Sequence, residues 1–189
     1  MTKYQIQLAP LSKTCSLDFV FGKKKIMFLK ILISVTSFSI TSIYAQKLYH
    51  TELYNNGNIK TITYFKKYKQ KIEKIRYEEY YENGNIYSKT VFNNSKVNGL
   101  MTFWYKTGSK KEEMFYQNGI ENGIHTWWYK NGNMKSKGLY KNGKPDGLWV
   151  YWYENGQKSG EGKIKNGKQD GLVTEWYKNG KISEERIYK

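Results

Sequence analysis

Glycine returns every 24 residues from residue 84 onward in this 189-residue chain, at Gly84, Gly108, Gly132, Gly156 and Gly180. A period kept without a slip decides architecture before any single side chain is considered, because every unit must fold alike and complete its neighbour's core. Trp104, Trp128, Trp152 and Trp176 stand four residues before the last four of these glycines, and Tyr81, Tyr105, Tyr129, Tyr153 and Tyr177 stand three before all five. A second series, Gly99, Gly123, Gly147 and Gly171, keeps the same step at another phase. A third, Gly119, Gly143 and Gly167, has Ser95 at its place in the first unit.

Each unit reads as two strands and two turns. Leu148 to Tyr153 is aromatic and β-branched and ends in Glu154-Asn155-Gly156, while Gln157 to about Lys165 forms a second strand. Asn-Gly supplies the positive φ that hairpins need, and Asn166-Gly167 with Asp170-Gly171 read as one longer loop. Two strands in 24 residues leave no room for a crossover helix, so neighbours pair antiparallel. The expected fold is all-β: an elongated, single-layer antiparallel meander of repeated hairpins. About ten strands at ~4.8 Å spacing would give a sheet roughly 45 Å long.

Alternation sorts each first strand into two faces. One repeats almost unchanged: Leu100, Thr102, Trp104, and then the same places in later units up to Leu172, Thr174, Trp176. The other varies, with Met101, Phe103; His125, Trp127; Trp149, Tyr151; and Val173, Glu175. Stability is expected on the constant face and binding on the variable one, at His125, Trp127, Trp149 and Tyr151. Gly138, Gly160 and Gly162 remove side chains from the second strands, which lets a neighbouring Trp lie across the sheet. Trp104, Trp128, Trp152 and Trp176, with Gly108, Gly132, Gly156 and Gly180, are the structural marks of the repeat.

The run WYKNGNMKSKGLYKNGKPDGLWVYWYENGQKSGEGKIKNGKQDGLVTEWYKNGK resembles the MORN repeat variant (membrane occupation and recognition nexus), a family often catalogued as YwqK-type antitoxins. The resemblance is strong over Tyr80 to Lys189 and weak over Leu53 to Phe65. It implies an open, twisted antiparallel sheet used for interaction, and it transfers no catalytic residue.

A leader argues against the antitoxin label. Lys23-Lys24-Lys25 precede an apolar run from Ile26 to Ile40 and the close Ile43-Tyr44-Ala45, the pattern of a signal peptide cleaved after Ala45. Met27 could be the true start. An uncleaved membrane anchor is the alternative, although Ile26 to Ala45 is short and rich in hydroxyls for a span of roughly 20 apolar residues. Residues 1 to 45 are therefore assigned to the leader, 46 to 79 to a degenerate N-terminal cap, and 80 to 189 to four full repeats and a half. Leader removal takes away Cys15, so no disulfide is expected, and leaves 26 basic against 15 acidic residues, net +11. Lys66-Lys67-Tyr68-Lys69-Gln70-Lys71, beside a three-residue insertion in the cap, reads as a solvated loop and protected edge.

No nucleophile set, phosphate loop or metal-ligand spacing is present, and His50 and His125 stand apart from other ligands. Asp146 and Asp170 precede glycines where earlier units carry Asn98 and Asn122, as turn chemistry requires. Neither cofactor nor metal is expected. Interleaved aromatics and lysines also suit a single-stranded nucleic-acid binder, but glutamates interrupt the basic surface and export opposes that reading. The functional expectation is a non-enzymatic, exported module, periplasmic or secreted, that binds a protein or envelope polymer, with peripheral membrane contact as a further expectation. The alternatives are a cytoplasmic antitoxin and a passive structural spacer or surface scaffold.

Overall fold

The computed structural model describes residues 47–189. The leader segment 1 to 45, with Cys15 and the alternative start Met27, lies outside the described residues. The remainder is a twelve-stranded sheet in strict chain order: β1 (Lys47–Leu53), β2 (Ile59–Tyr68), β3 (Lys71–Tyr80), β4 (Ile86–Asn93), β5 (Lys96–Trp104), β6 (Lys110–Gln117), β7 (Ile120–Trp128), β8 (Met134–Lys141), β9 (Lys144–Trp152), β10 (Lys158–Lys165), β11 (Lys168–Trp176) and β12 (Ile182–Tyr188). Every neighbouring pair is antiparallel. Among the described residues no helix is long and apolar enough to cross a membrane.

The same Asn-Gly dipeptide makes two different turns. In Asn118-Gly119, Asn142-Gly143 and Asn166-Gly167 both residues have positive φ, the conformation of a two-residue type I′ hairpin. In Glu154-Asn155-Gly156 only the glycine does, at φ 88°. There Gly156 N–H donates to Tyr153 O at 2.9 Å and Tyr153 N–H donates to Gln157 O at 2.8 Å, a three-residue loop closed by a left-handed glycine. Asn155 Oδ1 accepts from Gln157 N–H at 3.1 Å and so fixes the loop from its middle.

The expected longer loop at 166 to 171 is instead the two-residue turn followed at once by strand. Asp170 and Gly171 belong to β11, and the surplus is absorbed as a bulge in the ladder: Gly162 faces Val173, but Ile164 faces Gln169. The same irregularity recurs between β8 and β9, where Gly147 holds φ 84°. Asp146 Oδ2 accepts from Asn166 N–H at 3.3 Å and Asn98 Oδ1 from Asn118 N–H at 3.2 Å. These side chains tie one unit's bulge to the next turn.

In the first unit Asn94 and Ser95 carry this turn with φ 49° and 61°. A left-handed L-residue costs about 1–2 kcal/mol, which glycine avoids. Ser95→Gly is expected to stabilise the chain by up to about 1 kcal/mol after glycine's extra unfolded-state entropy is counted, measurable as a raised melting temperature.

Units are joined by their tyrosines. The hydroxyls of Tyr81, Tyr105, Tyr129 and Tyr153 donate to the backbone carbonyls of Trp104, Trp128, Trp152 and Trp176 at 2.7–2.8 Å. Tyr54 does the same to Tyr80 O at 2.7 Å. These five tyrosines, Tyr54, Tyr81, Tyr105, Tyr129 and Tyr153, therefore reach one repeat ahead, a role their strand position alone does not reveal.

Burial is shared between the constant face and the variable one. The constant Leu100, Ile124, Leu148 and Leu172 are 48%, 49%, 54% and 52% exposed, while the most buried apolar side chains, Met114 and Trp149, lie on the variable face. A single-layer sheet has no second layer to cover either side. Small threonines are shielded by longer neighbours, so Thr102, Thr126 and Thr174 are buried, whereas each leucine stands clear of its row. The cap differs too. The lysine-rich run forms the ends of β2 and β3 and the turn between them, not a free edge; the edge is β1. The insertion lengthens these two strands to 10 residues each. Their buried Glu78 accepts from Tyr64 and Tyr80 hydroxyls at 3.0 and 2.9 Å and pairs with Arg76 at 3.1 Å.

Candidate functional site

The four side chains expected to form the interaction face do come together, on β7 and β9, with β8 between them. Trp127 lies opposite Ser136, which lies opposite Tyr151, and His125 lies opposite Gly138. Gly138 makes the arrangement possible: a Cβ there would sit 2.2 Å from the Trp149 ring, which occupies the vacant space. From this seat Trp149 contacts Trp127 (centroids 6.0 Å), Tyr140 (5.5 Å) and Tyr151 (6.2 Å), and His125 stacks on Trp127 at 3.4 Å.

The cluster is not an open patch. His125 and Trp149 are 4% and 5% exposed, and Tyr151 is 43% exposed with Trp127 half-buried. His125 and Trp149 thus form the floor, and Tyr151 with the outer part of Trp127 forms the accessible surface.

His125 is held by two glutamates that sequence reasoning had not connected to it. Glu112 Oε1, from β6, lies 2.9 Å from His125 Nε2. Glu121 Oε1, from β7 itself, approaches Nδ1 at 2.5 Å without an aligned hydrogen bond. Each ring nitrogen therefore has a carboxylate oxygen beside it, one on the same strand and one on the neighbouring strand. Burial lifts the Glu121 carboxyl above the ordinary glutamate range, and His125 pulls it back down. Burial also raises the Tyr140 and Tyr151 hydroxyls, so both stay protonated well past neutral pH. A signal did exist: Glu112 replaces Ser88, Ser136 and Gly160, and His125 replaces Met101, Trp149 and Val173, at matching repeat positions. Two titratable departures fall together in one unit.

Beside Tyr151 the sheet is hollowed. Gly160 and Gly162 on β10 put no side chains between Trp149 and Tyr151 on one flank and Val173 and Glu175 on the other, leaving a groove of about 180 Å³. Its walls are aromatic at Trp149 and Tyr151, apolar at Ile164 and Val173, and polar at Gln169 and Glu175. A wider depression of about 670 Å³ on the turn edge is lined by Lys141, Lys144, Lys163 and Lys165 together with Asp146 and Asp170. Mixed charge makes it a solvated rim. Among the described residues no group of three or more His, Cys, Asp or Glu could hold a metal ion.

Compared with known families, the chain matches the MORN repeat variant over residues 75–94, 97–118, 121–142, 145–166 and 169–189, which together make up more than half its length. No curated protein matches the chain.

Proposed function

Starting from the fact that the chain belongs to the MORN repeat variant family, whose motif is a structural repeat and not a catalytic one, we propose that it is an exported, non-enzymatic interaction module. It binds a protein or envelope polymer through its aromatic face. The observation that carries this reading is the groove beside the exposed Tyr151, walled by a packed tryptophan and floored by glycines. A rigid aromatic next to a hollow is the arrangement that accepts a partner's anchor residue. Trp127 and Tyr151 supply contact, and His125 and Trp149 hold them in place.

Gly160→Val tests the groove directly. A Cβ at Gly160 would meet Tyr151 and the Thr174 carbonyl at 3.7 and 3.8 Å, ordinary contacts, and valine favours strands. The variant should melt at or above the parent temperature yet capture partner from envelope fractions about tenfold or more weakly. Unchanged capture would remove the groove from the site.

Export rests on the basic and apolar pattern ahead of Ala45. Fractionation of the host with intact-mass measurement should find a chain beginning at Gln46 in the periplasm or medium. A full-length soluble chain in the cytoplasm would overturn export and favour neutralisation of a toxin by direct binding.

A further inference from the structure

The leucine face, opposite the groove, carries charges in an order that the repeat does not require. One row of directly paired residues crosses seven strands from β4 to β10: Lys89, Thr102, Glu113, Thr126, Lys137, Val150, Glu161. Its ends and alternate members read plus, minus, plus, minus, and Thr126 on β7 is the midpoint. Turning the row end for end about Thr126 sets Lys89 against Glu161 and Glu113 against Lys137. Every charge then meets its opposite, twice over by symmetry.

The adjacent row has the same centre. Leu100 pairs with Phe115 and Ile124 with Leu139, and Leu148 follows on β9. Under the same rotation Ile124 meets its own copy, Phe115 meets Leu139, and Leu100 meets Leu148. Leu100, Phe115, Ile124 and Leu148 are all exposed, although water-facing apolar rows of this kind generally mark an interface.

The geometry points to a second copy of this chain as the occupant of the leucine face, packed sheet to sheet about a two-fold axis that runs parallel to the strands midway between the sheets, facing Thr126. Such an interface is isologous, one patch serving both partners. Stacked sheets lie ~10 Å apart, within reach of lysine and glutamate side chains from opposite sides. Seven strands at ~4.8 Å spacing and about 20 Å long offer roughly 700 Å² per copy, close to the roughly 800 Å² of a stable interface. Charge order fixes the register, which the repeating Leu, Thr and Trp positions alone would leave free to slide. Moving the axis to β8 sets Lys137 on Lys137 and Glu113 on Glu161; running the two arrays parallel sets every charge on its like. Lys89 and Lys137 have no ion-pair partner within the described chain, whereas Glu113 and Glu161 have only the exposed Lys110 and Lys158, each at 2.7 Å. This pairing is independent of the groove and leaves both aromatic faces turned outward.

Sedimentation equilibrium of the full chain tests the proposal. The parent should be a dimer. Lys137→Glu and Glu113→Lys should each weaken dimerisation by about tenfold or more, since each places like charges together at two symmetric points. Mixing the two single variants in equal amounts should restore association as a heterodimer, because Glu113 and the new glutamate of one then face the new lysine and Lys137 of the other. Restoration by mixing excludes misfolding as the cause of the single-variant losses. A monomeric parent, a dimer indifferent to either reversal, or a mixture that stays dissociated would each overturn the proposal.

Discussion

Gly138→Ala is expected to destabilise the chain by about 2 kcal/mol, against the usual direction, since alanine in a strand ordinarily gains about 0.5–1 kcal/mol over glycine. Backbone strain plays no part, because Gly138 does not adopt a left-handed conformation. The cause is the Trp149 ring, 2.2 Å from where the new Cβ would stand. A ring cannot yield by a few tenths of an ångström as a flexible chain end can; it must leave its seat and its contacts with Trp127, Tyr140 and Tyr151. Trp149→Ala should cost about 3–5 kcal/mol, the range for truncating a buried tryptophan. The two changes address one contact, so the double variant should be less destabilised than the sum of the singles by about 1 kcal/mol or more. Trp149→Phe should be much milder, because it keeps an aromatic ring over Gly138 and removes an indole N–H that is buried without a partner. Urea melts followed by tryptophan fluorescence would measure all four. An additive double variant would mean that the ring is not held by the glycine.

The period in the sequence made the meander legible, because repeated tryptophans, tyrosines and glycines constrain every unit alike. Twelve strands formed where about ten were expected, since the cap segment from Lys47 to Tyr80 folds as three strands despite its poor match to the repeat. Turn type was legible only in part. Asn-Gly promises positive φ, but whether one residue or two adopts it depends on how many residues the flanking ladders leave unpaired. Burial on each face was legible only in part, for a different reason. Alternation says which residues share a side, and in a single layer the buried side is decided by neighbouring side-chain size, so Trp149 is covered while Leu148, one residue earlier, stays open. The charge order on the leucine face was hidden because Lys89, Glu113, Lys137 and Glu161 look like ordinary solvated positions until the ladder lines them up.

His125→Ala should cost about 3 kcal/mol at neutral pH, near the upper end of the cost of leaving buried polar groups without a partner. The variant loses a ring stacked on Trp127 at 3.4 Å and leaves Glu112 and Glu121 facing the space it occupied. The pH dependence has a definite sign. Burial already raises the Glu121 carboxyl in the folded chain, and His125 is the main influence holding it down. A carboxyl raised on folding favours the folded state below its unfolded range and loses that contribution as pH climbs through the raised value. Removing His125 raises Glu121 further, so the variant's deficit should be greatest at neutral pH and shrink as pH falls through the glutamate range. Glu121→Gln carries the same logic in reverse: it fixes the neutral form and should melt higher than the parent at neutral pH, with the difference closing in acid. In a His125→Ala, Glu121→Gln double variant the acid recovery should largely disappear, leaving the lost stacking and Glu112 as the remaining cost. Melting temperatures of the four proteins from pH 4 to pH 8 would separate these terms. A His125→Ala deficit that does not change with pH would show that the ring acts by packing alone and that the two glutamates are not coupled to it.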